Sequence, residues 1–240
     1  MDGLNHRPVA RLACFAFVIC ALLPSVSRAQ QSAMISVFDA IDNGQLDVRV
    51  VAKHANQLTI MLHNATEQPL VVKLPSVFAA VPVLPEQQRL SAASTQPQSL
   101  GIGYSSPTIR KVAPPGNGQL WGAVNSGGVL QVGPGRVVRR TLRSVCLEYG
   151  SPEPTPKDKY KLARIEDVES NKYVSRLLGY LRADSHRVIQ LAAWHLNNKM
   201  TWQQLSTIRI PPMPGRPGGV FRQQELQTAY RLVEFLTESP

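Results

Sequence analysis

Leu46-Asp-Val-Arg-Val-Val51, Leu58-Thr-Ile-Met-Leu62 and Leu70-Val-Val-Lys-Leu74 set the fold class of this chain. Each is a short run rich in β-branched residues, and each ends at turn-forming residues, the pattern of strands packed on one face. Reading outward, Ile35-Ser-Val-Phe-Asp-Ala-Ile41 has the same character, and Asp42-Asn43-Gly44 after it is a tight-turn signal. Asn64-Ala-Thr-Glu-Gln-Pro69 turns the chain into Leu70–Leu74 and predicts a hairpin; its Asn-Ala-Thr sequon reads equally as a turn. Strands recurring about every ten residues predict an antiparallel sandwich rather than βαβ units.

Farther on, residues 86–119 interrupt the pattern with Gln, Ser, Pro and Gly, ending in Pro114-Pro115-Gly116-Asn117-Gly118. They read as a long loop carrying one short strand at Gly101-Ile-Gly-Tyr104. Strand signals return at 119–124, at 129–132 and, longest of all, at 136–147 after the Gly133-Pro134-Gly135 turn. From Lys157 the period becomes helical: Val174, Leu177, Leu178 and Leu181 fall at i, i+3, i+4, i+7, as do Ile189, Ala192, Ala193 and Leu196. Asp184 or Ser185 is placed to cap the second of these helices, and Thr201-Trp-Gln-Gln204 fits a capping box for a third. A Pro/Gly stretch, 211–219, precedes a last helix with Leu226, Tyr230 and Val233 on one face. The expectation is an α+β chain: a β-sandwich-like N-terminal half over 30–150, then a small helical half over 151–240.

The first 29 residues read as a secretory signal. Arg7 and Arg11 form a basic lead, Leu12 to Val26 an apolar core, and Ser27-Arg28-Ala29 a small-x-small exit. At 15 residues and with Pro24 inside, the core is short for a membrane span. Neither Cys14 nor Cys20 sits in a lipobox. Cleavage near Ala29 predicts a secreted or periplasmic product with 23 basic and 15 acidic residues, net +8, and with one cysteine, Cys146. A basic balance of this size favours an anionic polysaccharide or envelope component as partner, and nothing points to nucleic acid.

No metal or cofactor motif emerges. His54, His63, His186 and His195 form no ligand spacing, and His186 and His195 lie nine residues apart, on opposite sides of one helix. There is no Gly-x-Ser-x-Gly elbow and no favoured pair of carboxylates; a hydrolase would need a site assembled under the 86–119 loop. The run Arg136-Val-Val-Arg-Arg-Thr-Leu-Arg143 puts Arg136 and Arg140 on one strand face and Arg139 and Arg143 on the other. Arg139, Arg140 and Arg143 are the candidate contacts for carboxylate, sulfate or phosphate groups; the same residues would also protect an edge strand from aggregation.

Cys146 ends that strand, and Gln190-Leu-Ala-Ala-Trp194 follows 44 residues later, with Gln190 and Trp194 as i, i+4 neighbours on a helix. A lone cysteine upstream of Gln-x-x-x-Trp resembles the surface thioester domains of Gram-positive bacteria. The resemblance implies a Cys146 thiolate that displaces the Gln190 amide, releases ammonia and leaves an acyl group open to a host amine. Trp194 would then belong to the wall that excludes water. The wider pattern, Asn-x-Thr-x-x-Pro-Leu with Cys-Leu-Glu and Gln-x-x-x-Trp, is similar to uncharacterised secreted bacterial proteins. Three other readings of Cys146 stand beside the thioester: a small apolar residue packed at the junction, one half of an intermolecular disulfide, or a regulated thiol. The leading expectation is a non-enzymatic exported binding module, with the covalent adhesin as the alternative.

Overall fold

A computed structural model describes residues 33–83, 96–105, 125–210 and 218–238. The signal-like segment 1–29, most of the 86–119 stretch, the strand signal at 119–124 and most of the Pro/Gly stretch 211–219 lie outside the described residues. Residues Ser32–Pro240 cluster as one compact unit.

The chain is mixed α+β, with a β-rich N-terminal part and helices toward the C-terminus. Its main sheet is closed. Strands β2 (Leu46–His54), β3 (Gln57–Asn64), β5 (Val77–Pro82), β6 (Leu100–Gly103), β8 (Val137–Cys146) and β9 (Tyr160–Ala163) form an antiparallel barrel in the order β2-β3-β8-β6-β5-β9. This differs from the expected sandwich for two reasons. The short strand inside the 86–119 stretch, β6, pairs with both β5 and β8, and β9 bridges β5 to β2 and closes the ring. Closure removes the open edges that a sandwich would have to protect.

Even-numbered strand residues fill the barrel. Val50, Ala52, Leu58, Ile60, Leu62, Phe78, Ala80, Leu100, Ile102 and Leu142 form one buried cluster with Tyr160. Odd-numbered residues of β5 and β8 point outward into a second cluster, where Ala79, Val145 and Leu147 meet the helices.

Two strand expectations come out differently. Of the Ile35–Ile41 run only Ile35 and Ser36 are strand, within β1 (Met34–Ser36); from Val37 to Asp42 the chain is a helix, α1, started by the Ser36 hydroxyl accepting from the Phe38 N–H. One turn of helix buries Val37, Phe38 and Ala40 together, which an alternating strand would not do. The hairpin expected between β3 and Leu70–Leu74 (β4) does not form. β4 pairs instead with β1 in parallel and with β7 (Gly128–Val132) antiparallel, a separate three-stranded sheet. Asn64 fixes that departure. Fully buried, it donates from Nδ2 to the Gln68 and Val132 carbonyls and accepts at Oδ1 from Thr66, so the sequon is a structural turn.

The helices follow the sequence closely. A 3-10 turn at Ile165–Asp167 leads to α2 (Lys172–Leu178), α3 (His186–Asn198), α4 (Trp202–Thr207) and α5 (Gln223–Glu238). The capping box at Thr201 and Gln204 is present in both directions. α3 ends where Lys199 takes the left-handed conformation at φ 56°. Leu226 and Val233 of α5 are buried as expected, while Tyr230 lies at the rim, edge-on to Trp202. Among the described residues no helix is long and apolar enough to cross a membrane.

Candidate functional site

Helix α3 completes strand β8. The β3–β8 ladder runs from Val137 to Arg143 and ends near Asn56. Beyond it no strand among the described residues pairs with β8 on that side, and one face of α3 takes the strand's place. His186 Nε2 donates to the Ser144 carbonyl at 2.9 Å, which fixes its tautomer, because a carbonyl only accepts. Gln190 accepts from the Cys146 N–H at 2.8 Å and donates from Nε2 to the Cys146 carbonyl at 3.0 Å. Asn197 donates to the Leu147 carbonyl, and Asn198 accepts from the Tyr149 N–H. The spacing 186, 190, 197 keeps the first three of these side chains on one helical stripe, with Asn198 at the end of the helix beside it.

So the structure brings Cys146 and Gln190 together, but through the cysteine's backbone. Burial pushes the Cys146 thiol well above its ordinary range, and the negative charges of Glu153 and Glu148 add to the shift. The thiolate needed for nucleophilic attack is therefore disfavoured. Trp194, one turn after Gln190, packs edge-on to Tyr149 at 5.1 Å and to Phe221 at 6.2 Å; its indole N–H is buried without a partner among the described residues.

A pocket of about 220 Å³ opens at this seam. Its barrel wall includes Gln98, Cys146 and Glu153; its helical wall includes Trp194, Ile208, Arg209 and Phe221. Other polar groups that reach it are already committed. Gln190 is held by Cys146, and Arg187 binds Glu225 through Nε at 2.6 Å and through a second nitrogen at 3.0 Å, also donating to the Val220 carbonyl. Arg187 further lies 4.8 Å from the centre of the Phe221 ring. Burial works against the Glu225 carboxylate, but hydrogen bonds from Arg187 and from the Arg222 backbone hold it below its usual range.

The arginines of β8 lie elsewhere. Arg139 pairs with Met61 and Arg143 with Gln57, on the outer face of the barrel. Arg140 pairs with Ile60 on the inward side, half-buried, with one guanidinium nitrogen donating to the Arg139 carbonyl and its Nε buried without a partner among the described residues. Register adds a residue that sequence alone did not single out: Arg49 of β2 is also opposite Met61, so Arg49 and Arg139 flank one methionine across three strands. Exposed Lys53 sits at the β2 bulge. None of Arg49, Lys53, Arg139 and Arg143 forms an ion pair among the described residues, and the acid on this face, Asp47, is held by His63 at 3.3 Å. Strand pairing, which no local pattern reveals, is the signal that would have found Arg49; the pocket's Ile208, Arg209 and Phe221 are brought together by another such pairing, Arg209–Ile210 with Gly219–Val220.

Fold and site together define an α+β protein whose closed antiparallel barrel carries a helical layer on one side, with a cationic sheet face and a seam pocket. No family model, curated protein or solved structure matches the chain.

Proposed function

We propose that this protein is an exported, non-enzymatic binding module whose cationic barrel face, β2-β3-β8, docks an anionic polysaccharide of the envelope or extracellular space. The observation that carries this reading is the row Arg49–Met61–Arg139, with Arg143 farther along the same face of the barrel. Planar guanidiniums on β2 and β8, on either side of β3, match a chain of sulfate or carboxylate groups, and exposed Arg49 and Arg139 have no ion pair to give up among the described residues. Among the described residues, helices pack on the outer faces of β5, β6 and the end of β8, while Arg49 and Arg139 stay exposed. The signal-like N-terminus supports export, and the net positive balance supports an anionic partner.

The test is retention on heparin-agarose. The protein should bind at low salt and elute as salt rises, because exposed charge interactions are screened within about 10 Å at 0.1 M ionic strength. The double variant R49Q/R139Q should elute at clearly lower salt, while R231Q, which removes one exposed charge on α5, should shift it little. A shift for the double variant only about twice that of R231Q would mean that net charge, not this face, does the binding.

The thioester reading keeps one observation in its favour, the contact of Gln190 with Cys146. Against it stand the raised thiol pKa and an amide already used in two hydrogen bonds. Intact mass decides it: a chain one ammonia lighter than its sequence establishes the thioester, and an unmodified mass with a titratable Cys146 removes it.

A further inference from the structure

We propose that the seam pocket is a second binding site, independent of the cationic face, and that it takes a free amino acid with an apolar side chain. Size comes first. At about 220 Å³ the pocket is smaller than the roughly 300–1,000 Å³ of sites for drug-sized molecules, which selects a ligand no larger than an amino acid. Chemistry comes next. Much of the lining is apolar, Trp194, Ile208, Ile210 and Phe221 among it, so the ligand needs an apolar body.

Charge decides the rest. Arg187 and Gln190 are consumed by Glu225 and by the Cys146 backbone. Two charged groups remain uncommitted, one on each wall. Glu153, on the barrel side, is exposed and has a single long contact, accepting from the Ala55 N–H at 3.5 Å. Arg209, on the helical side, is exposed and has no ion pair among the described residues. A carboxylate on one wall and a guanidinium on the other complement a molecule carrying both an ammonium and a carboxylate. A simple fatty acid would leave Glu153 opposed to its apolar body, and an amine would leave Arg209 without a partner.

Calorimetry on the full chain tests this, with L-phenylalanine and L-leucine as probes. N-acetyl-L-phenylalanine removes the ammonium, and L-phenylalaninamide removes the carboxylate. Both blocked compounds should bind about fivefold more weakly than phenylalanine, the upper range for one exposed ion pair. E153Q should erase the penalty for N-acetylation and leave the amide penalty; R209Q should do the reverse. Both side chains are exposed, so these variants keep the fold, which far-UV circular dichroism checks. R49Q/R139Q should bind phenylalanine unchanged, which separates this site from the polysaccharide face. Absence of saturable binding by either amino acid overturns the proposal. So does equal binding of phenylalanine and its two blocked forms, which would reduce the pocket to an apolar hole, or a penalty confined to the amide, which would make it an anion site.

Discussion

Gln190 stands where a strand residue would stand, and its amide satisfies the N–H and the carbonyl of Cys146 at once. Both groups are buried, so removing their partner leaves a donor and an acceptor without water or protein to bind them. Gln190→Ala should lower stability by about 2–3 kcal/mol, read from urea unfolding, because each orphaned buried group costs about 1–3 kcal/mol and the cavity relaxes part of it. A loss within about 0.5 kcal/mol would mean that the seam opens to water and that the stripe on α3 is ornamental. The Arg187–Glu225 pair allows a second forecast, with a definite sign. The folded carboxyl titrates below its ordinary value of 4.5, so its stabilisation is complete above that pH and is lost as the pH falls through the folded value. Against the wild type, Glu225→Gln should therefore be less stable at pH 7, and the gap should narrow as the pH drops below about 4.5. A gap that stays constant down to pH 3 would show that the ionised carboxylate is not what Arg187 holds.

At the scale of elements, the helical layer fits the barrel through two glycines of β6. A Cβ on Gly101 would lie 2.8 Å from the ends of the Leu178 side chain, which can rotate away. A Cβ on Gly103 would meet the Leu178 carbonyl and the Asn125 amide, and Asn125 is itself fixed by donating to the Leu178 and Leu181 carbonyls. Gly103→Ala should thus cost about 3 kcal/mol, the upper end for overpacking, and Gly101→Ala about 1 kcal/mol. The order, measured by thermal unfolding, is the test; a larger loss for Gly101→Ala would mean that α2 is free to shift as a body. The helices were legible in the sequence because their period is local: Val174, Leu177, Leu178 and Leu181 are all buried. The capping box at Thr201 was legible for the same reason. α1 was not, since its six residues are too few to show a period, and the Ser36 cap can be recognised only once Val37 and Phe38 are known to turn inward.

On the scale of the whole molecule, what the sequence could not show was which strands meet. Four-residue β6 and β9 carry weak local signals, yet they supply the pairings that close the barrel. Partner choice is a long-range property, and the same blindness hid Arg49 beside Arg139 while Cys146 and Gln190 could be singled out only by residue type. The closed topology carries a consequence for unfolding. β9 follows β8 by a short excursion and returns to β2 and β5, while α3 supplies the hydrogen bonds that β8 lacks. Neither layer can leave without exposing buried backbone in the other. Barrel and helices should therefore unfold in one cooperative transition, with coincident curves by tryptophan fluorescence and far-UV circular dichroism and a calorimetric enthalpy equal to the van't Hoff value. With Trp121 replaced by phenylalanine, Trp194 and Trp202 report on the helical layer, whereas the circular dichroism signal sums both layers. A tryptophan transition that precedes the loss of β signal would show that the helical layer is a separate unit resting on a self-sufficient barrel. In that case Gln190→Ala should bring the early transition forward and leave the later one in place; if the two layers are coupled, it should move a single midpoint for both probes by the same amount.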